Sequence, residues 1–264
     1  MTPEEMVSRL LYRDGLMLVI DKPAGMAVHR GSPNSKDRNK ESLEDYFDAL
    51  RFGLPRPPAL AHRLDRDTSG CLVLGRHRKA LAQLGKLFRN GAIDKTYWAI
   101  VEGVPDADEG VIELPLGRLD DRIGWWMKHD PNGQAAVTKW KVLGRASPTS
   151  AQTGEGKILA WLALEPLTGR THQLRVHCAE MGWPILGDAI YGTAPRTGGP
   201  ALHLHAREVT VPLYKNRAPI RAVAPVAIHM RERLSACGWE EEREDTPVAV
   251  IPGPERSEGA RNPE

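Results

Sequence analysis

HRLDRDTSG, residues 62–70, is the stretch from which the fold of this chain can be read outward. Asp65 and Asp67 stand there among three basic residues, His62, Arg63 and Arg66, between a proline-rich connection (FGLPRPP, 52–58) and a short apolar run at 71–75 that reads as a strand. A carboxylate among cations is favoured in its charged form, which suits a nucleophile and not a general acid. The same residues would also make a surface turn of satisfied ion pairs. In either case Leu64 and the strand after Gly70 tie the loop to a core.

A second stretch, LTGRTHQLRVH at 167–177, starts a helix that runs over 171–181. Gly169 and Thr171 at its start would present free backbone N–H groups suited to a phosphate, with the charge of Arg170 at the same spot. Along the helix Leu174 and Cys178 pack inward while Arg175 turns toward a cleft. An amphipathic helix with ordinary salt bridges accounts for the same pattern.

Residues 16–21 (LMLVID) read as a strand stopped by Pro23-Ala24-Gly25, and residues 29–40 as a polar, basic loop. Ser42 caps a helix starting LEDYFDAL, with Asp45 in the capping-box position. Residues 78–90 place Leu81, Leu84, Leu87 and Phe88 on one helical face, and Gly91 is the stop. Residues 95–101 alternate as a strand. Segments 111–119 and 136–143 bracket a turn-rich insert with Trp125-Trp126 and Asp130-Pro131-Asn132-Gly133, and further strands fall at 158–164, 206–212 and 220–224. Strands outnumber helices without alternating with them, so the class is α+β with a mixed, mainly antiparallel sheet.

The chain has 264 residues, 41% hydrophobic and 27% charged, enough for a core without staples. Its three cysteines, Cys71, Cys178 and Cys237, have no CxxC spacing, which excludes a disulfide framework and a four-cysteine zinc site and suits a reducing compartment. TPEEM at the start lacks the charge of a signal peptide, and no apolar run reaches the roughly 20 residues of a spanning helix. The expectation is a soluble cytoplasmic protein. The net charge of +2 hides an asymmetry: eight acids and three arginines over 240–264 give −5, which leaves +7 on residues 1–239. The acidic, Pro/Gly-rich 240–264 segment is expected to be a disordered tail behind a single domain, 1–239. Arginine outnumbers lysine by 25 to 11, a bias that suits phosphate contact and base stacking and that a GC-rich genome would also produce.

Taken together, Lys22-Pro23-Ala24-Gly25 with His29, HRLDRDTSG at 62–70, Lys95-Thr96-Tyr97, TGRTHQLRVH at 168–177, and Pro184-Ile185-Leu186-Gly187-Asp188 with Tyr191-Gly192 resemble the RluA family of RNA pseudouridine synthases, in the right order over about residues 14–228. The resemblance implies a twisted sheet in two halves with flanking helices and a central active-site cleft. It also implies conversion of specific uridines in tRNA or ribosomal RNA to pseudouridine, without cofactor or metal. It puts Asp65 at the position of the aspartate that starts glycosidic-bond exchange. Tyr97 takes the position of the tyrosine that packs on the uracil and assists proton removal at C5, and Arg175 that of the basic residue that pairs with the aspartate. Arg63 matches the arginine that enters the RNA where the target base is flipped out, and Arg170 and His172 are expected to contact substrate. The chemistry asks for such groups: the C1′–N1 bond is inaccessible in stacked RNA, so the base must leave the stack and the void be filled. Many relatives carry an S4-type RNA-binding domain ahead of the first strand. Only about fifteen residues stand there in this sequence, so RNA positioning would fall to the catalytic domain, from the 29–40 loop and the 125–129 insert. The substrate expected is structured RNA and the protein is expected to be a monomer.

Two other readings stand beside this one. His172, His177, His203 and His205 invite a metal-dependent hydrolase, with His172, His203 and His205 as ligands, although no HExxH pattern supports it and His172 and His177 would lie about 140° apart on a helix. A non-catalytic RNA-binding module would need a lost nucleophile, yet Asp65, Tyr97 and Arg175 are all present. Trp125 and Trp126 read either as stacking residues for RNA or as packing at a hairpin. His62 reads as a structural hydrogen-bond partner.

Overall fold

A computed structural model describes residues 1–30, 41–120, 126–146 and 158–241. Trp125, most of the 29–40 loop and the tail from 242 onward therefore lie outside the described residues.

The chain opens with α1 (Pro3–Ser8), capped by Thr2 and Glu5 in a capping box, then β1 (Leu10–Arg13) and β2 (Met17–Lys22). The capping box expected at Ser42 and Asp45 is present, but the segment it starts is a 3-10 helix, Leu43–Leu50, not an α-helix. Phe52 and Gly53, both at positive φ, and Pro55 follow it and end the helix. Two short pieces follow, β3 (Ala59–Leu60) and β4 (Ser69–Gly75); all seven residues of β4 are buried, as suits a strand covered on both faces. α2 (Arg78–Arg89) starts where the His77 ring accepts from Ala80 N and stops before Gly91 at φ +65. β5 (Asp94–Glu102) and β6 (Glu109–Glu113) come next. The expected strand over 111–119 is broken at Pro115, which has no N–H to give to a ladder, and resumes as β7 (Leu116–Arg118) in a separate two-stranded sheet with β8 (Met127–His129). β9 (Val137–Arg145), β10 (Leu159–Pro166), α3 (Gln173–Glu180), β11 (Leu204–Val211), β12 (Ile220–Val223) and α4 (Ile228–Ala236) complete the fold.

The large sheet has ten strands, with the path β1-β2-β4-β11-β5-β10-β9-β6. Its only parallel pairing among the described residues is β4 with the start of β11, through Ser69–His205 and Gly70–Ala206; β12 takes over the same edge of β11 from Glu208 onward. That parallel pair is the seam between an N-terminal half and a C-terminal half. One register row crosses it: Lys22, Gly70, Ala206, Tyr97, Leu164, Trp140 and Gly110 are successive partners. Gly70 is required there: its φ is +102, and a Cβ would stand 2.3 Å from the carbonyl oxygen of Ala206. Five residues after Asp65, the chain is thereby brought within two strand spacings, about 10 Å, of Tyr97.

Each half has its own core. Val19, Ile20, Leu72 and Val73 pack with Met6, Leu43 and Phe47 in the first. In the second, β5 divides its side chains between two helices: Ala99 and Val101 face Leu174 and Cys178 of α3, while Ile100 and Trp98 face Met230 and Leu234 of α4. Tyr97 packs against both the first core and the α3-facing core, at the junction of the halves.

Candidate active site

The HRLDRDTSG loop is held from below by Lys22. Its side chain is fully buried, and its Nζ donates to the carbonyls of Pro23 (2.7 Å), Met26 (2.7 Å) and Arg66 (2.8 Å). Burial pulls this lysine down to about 7. Three carbonyl acceptors nevertheless require three N–H donors, so the ammonium is the form the geometry accepts. Arg66 Nε returns a bond to Gly25 O (3.0 Å), and Ser69 Oγ meets His205 Nδ1 (2.9 Å). The loop is thus clamped to the KPAG turn and to β11, with Leu64 buried beneath it and Asp65 half-buried at the cleft. His62 is structural, as expected: it stacks on Phe88, accepts from Val73 N, and burial drops it to about 3.

The TGRTHQLRVH stretch divides its residues between structure and cleft. Thr168 Oγ1 and Arg170 N both donate to Gln173 Oε1, while Gln173 Nε2 donates to Val137 O and Thr138 Oγ1. His177 bridges Thr138 Oγ1 and Leu114 O. These bonds fasten the segment to β9. The helix itself starts later than the sequence suggests, because His172 sits at φ +52 and ψ 18 as its cap. Left-handed backbone at a non-glycine residue is strained and persists only where its surroundings over-determine it. Here they do: His172 is buried, with Nδ1 2.8 Å from Tyr191 Oη and Nε2 3.7 Å from Asp65 Oδ2.

The expected pairing of Arg175 with Asp65 is present as a long ion pair, and the structure adds a tighter partner. Its guanidinium is buried and bidentate to Asp188, with Nε and Nη2 each donating at 2.8 Å; the contact to Asp65 Oδ2 is longer, 3.8 Å from Nη1. A planar fork satisfies one carboxylate in this way and keeps only its remaining edge for another. Burial alone would lower Arg175, but the hydrogen bonds and charge of Asp188 raise it; burial alone would raise Asp188, but Arg175 and the Tyr191 and Ile190 N–H groups lower it. Gly187, at φ +82 with Ala201 O 2.1 Å from where a Cβ would stand, turns the chain so that Asp188 enters the site. Asp188 and Tyr191 were within reach of sequence reasoning as part of the quoted motif, but nothing in the spacing assigned them a partner.

All six site residues expected from the sequence, Arg63, Asp65, Tyr97, Arg170, His172 and Arg175, line one cleft of about 870 Å³. Arg63 is exposed, and its side chain makes no hydrogen bond or ion pair among the described residues. Arg170 is exposed at the rim, one guanidinium nitrogen bound to Ala135 O (3.0 Å). Burial, followed by the charge of Asp65, raises the Tyr97 phenol well above its ordinary value. Burial lowers His172, and the charge of Asp65 opposes this only in part. His172, His203 and His205 do not converge: His203 Nδ1 meets Ala201 O and His205 Nδ1 meets Ser69 Oγ, and no cluster of three or more His, Cys, Asp or Glu able to hold a metal exists among the described residues. Trp126 packs beneath Arg196, whose guanidinium lies 5.2 Å from its ring. No described helix is long and apolar enough to cross a membrane.

Comparison with known proteins agrees with this geometry. Residues 16–180 match the family described as RNA pseudouridylate synthase. An RNA pseudouridine synthase of Zymomonas mobilis, itself named as uncharacterized, is 41% identical over 84% of this chain and 94% of its own. The ribosomal large subunit pseudouridine synthase C of Vibrio cholerae is 32% identical over 86% of this chain and 68% of its own. The solved structure of human RNA pseudouridylate synthase domain containing 4 superposes with a TM-score of 0.71 at 28% identity, covering 90% of this chain and 96% of that one. Motifs, sheet and relatives converge on one assignment: this chain belongs to the RluA-type RNA pseudouridine synthases, isomerases that act on RNA.

Proposed function

We propose that the chain isomerises specific uridines of ribosomal RNA and/or tRNA, with Asp65 as the group that acts on the sugar. The observation that carries this is the position of Asp65. Its carboxylate is partly open to the cleft, and its two polar contacts, to His172 and Arg175, both fall on Oδ2, so that Oδ1 is uncommitted among the described residues. C1′–N1 breaks, the uracil turns, C1′–C5 forms, the C5 proton leaves and N1 regains one. Asp65 starts this either by attacking C1′ or by taking the C2′ proton to give a glycal. Tyr97, across the seam, offers its ring to the detached uracil; a phenol held protonated by burial and by Asp65 is better suited to stacking than to accepting the C5 proton. Arg63, uncommitted and exposed, would fill the gap left by the flipped base, and Arg170 would meet the RNA backbone.

The name of the Vibrio relative supports a ribosomal target. The three buried free cysteines suit the reducing cytoplasm. The reading includes a monomer acting through one catalytic domain, 1–239, with an acidic tail after it. Asp65→Asn should abolish tritium release from C5-labelled uridine RNA, by at least about 10²–10⁴-fold, while RNA affinity stays within a few-fold. Substantial turnover in that variant would overturn the assignment of Asp65. Mapping carbodiimide-reactive pseudouridines in rRNA and tRNA of a deletion strain identifies the target.

A further inference from the structure

His172 does more in this cleft than touch substrate. Tyr191 Oη lies within hydrogen-bond distance of two groups: Met127 N at 2.9 Å, which must donate, and His172 Nδ1 at 2.8 Å. If Nδ1 carried the proton, the hydroxyl oxygen would accept twice and its own hydrogen would have no acceptor among the described residues. The consistent assignment has Tyr191 O–H donating to Nδ1, which leaves the proton on Nε2. That N–H lies 3.7 Å from Asp65 Oδ2. The 3.5 Å approach of Arg175 Nη1 to Nε2 fits a hydrogen bond only in the opposite, Nδ1–H tautomer; in the one assigned it is a contact between two donors that both face Asp65 Oδ2. Two neighbours of the ring, Arg175 and Tyr191, are fixed in turn. Asp188 holds Arg175 and accepts from Tyr191 N (3.0 Å), and the Arg175 guanidinium lies 5.2 Å from the Tyr191 ring. Met127 belongs to the β7–β8 ribbon, whose strand β8 packs on α3.

We propose that His172 is a positioning residue for Asp65: Tyr191 and Met127 hold its ring as the neutral Nε2–H tautomer, and that N–H, together with Arg175, aims the carboxylate so that Oδ1 meets the sugar. This rests on Asp65 being the group that acts on the sugar. It explains the left-handed backbone at residue 172, which turns the ring back over the helix start and into the cleft. It also links the β7–β8 ribbon to this corner of the cleft: Met127 N–H bonds Tyr191 Oη, Tyr191 bonds His172, and the far nitrogen of that ring stands 3.7 Å from Asp65 Oδ2. The aim of the carboxylate therefore depends on how that ribbon is seated.

The test has a spectroscopic and a kinetic arm. In protein labelled with 15N-histidine, the His172 ring should show the Nε2–H tautomer at neutral pH, and Tyr191→Phe should abolish the preference. An Nδ1–H tautomer in the unmodified protein overturns the proposal. His172→Gly tolerates the backbone conformation and removes the donor. Its kcat should fall about 10²-fold, the cost of a misaimed reacting group, with RNA affinity and melting temperature little changed. His172→Gln, whose amide N–H reaches to about the place of Nε2, should recover kcat to within about tenfold of the unmodified protein. Tyr191→Phe should lose about three- to tenfold, one neutral hydrogen bond's worth. A His172→Gly variant with unchanged kcat and weakened RNA binding would make the residue a substrate contact, and a Gln variant no better than Gly would make positioning through that N–H wrong. Both failures leave Asp65→Asn inactive, whereas an active Asp65→Asn would remove the premise.

Discussion

Asp65 and Asp188 share one guanidinium and are treated oppositely by the fold. Asp188 is 1% exposed and its carboxylate is saturated: Arg175 grips it bidentately at 2.8 Å, and the Ile190 and Tyr191 N–H groups donate at 2.9 and 3.0 Å. Asp65 is 30% exposed, and its contacts with His172 and Arg175 stand off at 3.7 and 3.8 Å. The first carboxylate has no bonding capacity left for a substrate. The second has been given a direction without being consumed. The role proposed for Asp65 needs that difference, because every strong bond made in the resting enzyme has to be broken before the sugar is reached.

The largest effect that tests this contrast is on stability. Asp188→Asn leaves a buried guanidinium short of its counter-charge and should cost about 3–5 kcal/mol, read by chemical denaturation. Asp65→Asn, through its loose and partly solvated contacts, should stay within about 1 kcal/mol of the unmodified protein. Equal losses in the two variants would mean that the acids are not divided into a structural and a reacting one.

Acid titration sharpens the same contrast. Burial alone would raise Asp188, but Arg175 and the two backbone N–H groups outweigh it and hold the carboxyl below its ordinary 3.8. Its contribution to stability is therefore complete above pH 3.8. It is lost as the pH falls further and the folded carboxyl takes up its proton, since the unfolded chain protonates first. The stability gap between the unmodified protein and Asp188→Asn should thus be widest above pH 4 and narrow below it. A gap that stays constant to pH 2 would show that Asp188 contributes by packing and not by charge.

How far these roles were legible depends on whether the cause was local. α2 could be read because Leu84 and its neighbours repeat at helical spacing, and the Ser42–Asp45 capping box because its partners are three residues apart. α4 has only two buried positions, Met230 and Leu234, and opens on Ile228, which is 85% exposed, so no apolar stripe marked it. The start of α3 was misplaced because the conformation of His172 is imposed by Tyr191, 19 residues away. The six cleft residues were found because the motifs carried them. Asp188 was not singled out because its role exists only where Gly187 turns it into the reach of Arg175. Local pattern located the cleft, and which acid was bound and which left open was decided by tertiary contacts.

A smaller loss is expected at the seam that carries Asp65 toward Tyr97. Gly70→Ala would put a Cβ 2.3 Å from Ala206 O at φ +102, so β4 must move from β11. The strain should cost about 1–3 kcal/mol, less than Asp188→Asn, yet should lower kcat as well, because the reacting loop moves with the strand. Stability lost with kcat unchanged would show that the bonds of Lys22 and Arg66 to the KPAG turn hold the loop without the strand.

The smallest effect separates the two arginines of the second motif. Arg175 is buried and bound on Asp188, so its charge is already neutralised and is not offered to RNA. Arg170 is exposed at the cleft rim with one bond to a carbonyl and no ion pair among the described residues, so its charge is available to a phosphate. Arg170→Ala should therefore reduce the slope of log affinity against log salt by about 0.7–0.9, one phosphate contact, with kcat at saturating RNA unchanged. If the slope is unaltered while kcat falls, Arg170 serves the reacting groups instead. The motif would then hold two arginines of the Arg175 kind, and RNA affinity would have to come from cations elsewhere on the cleft rim.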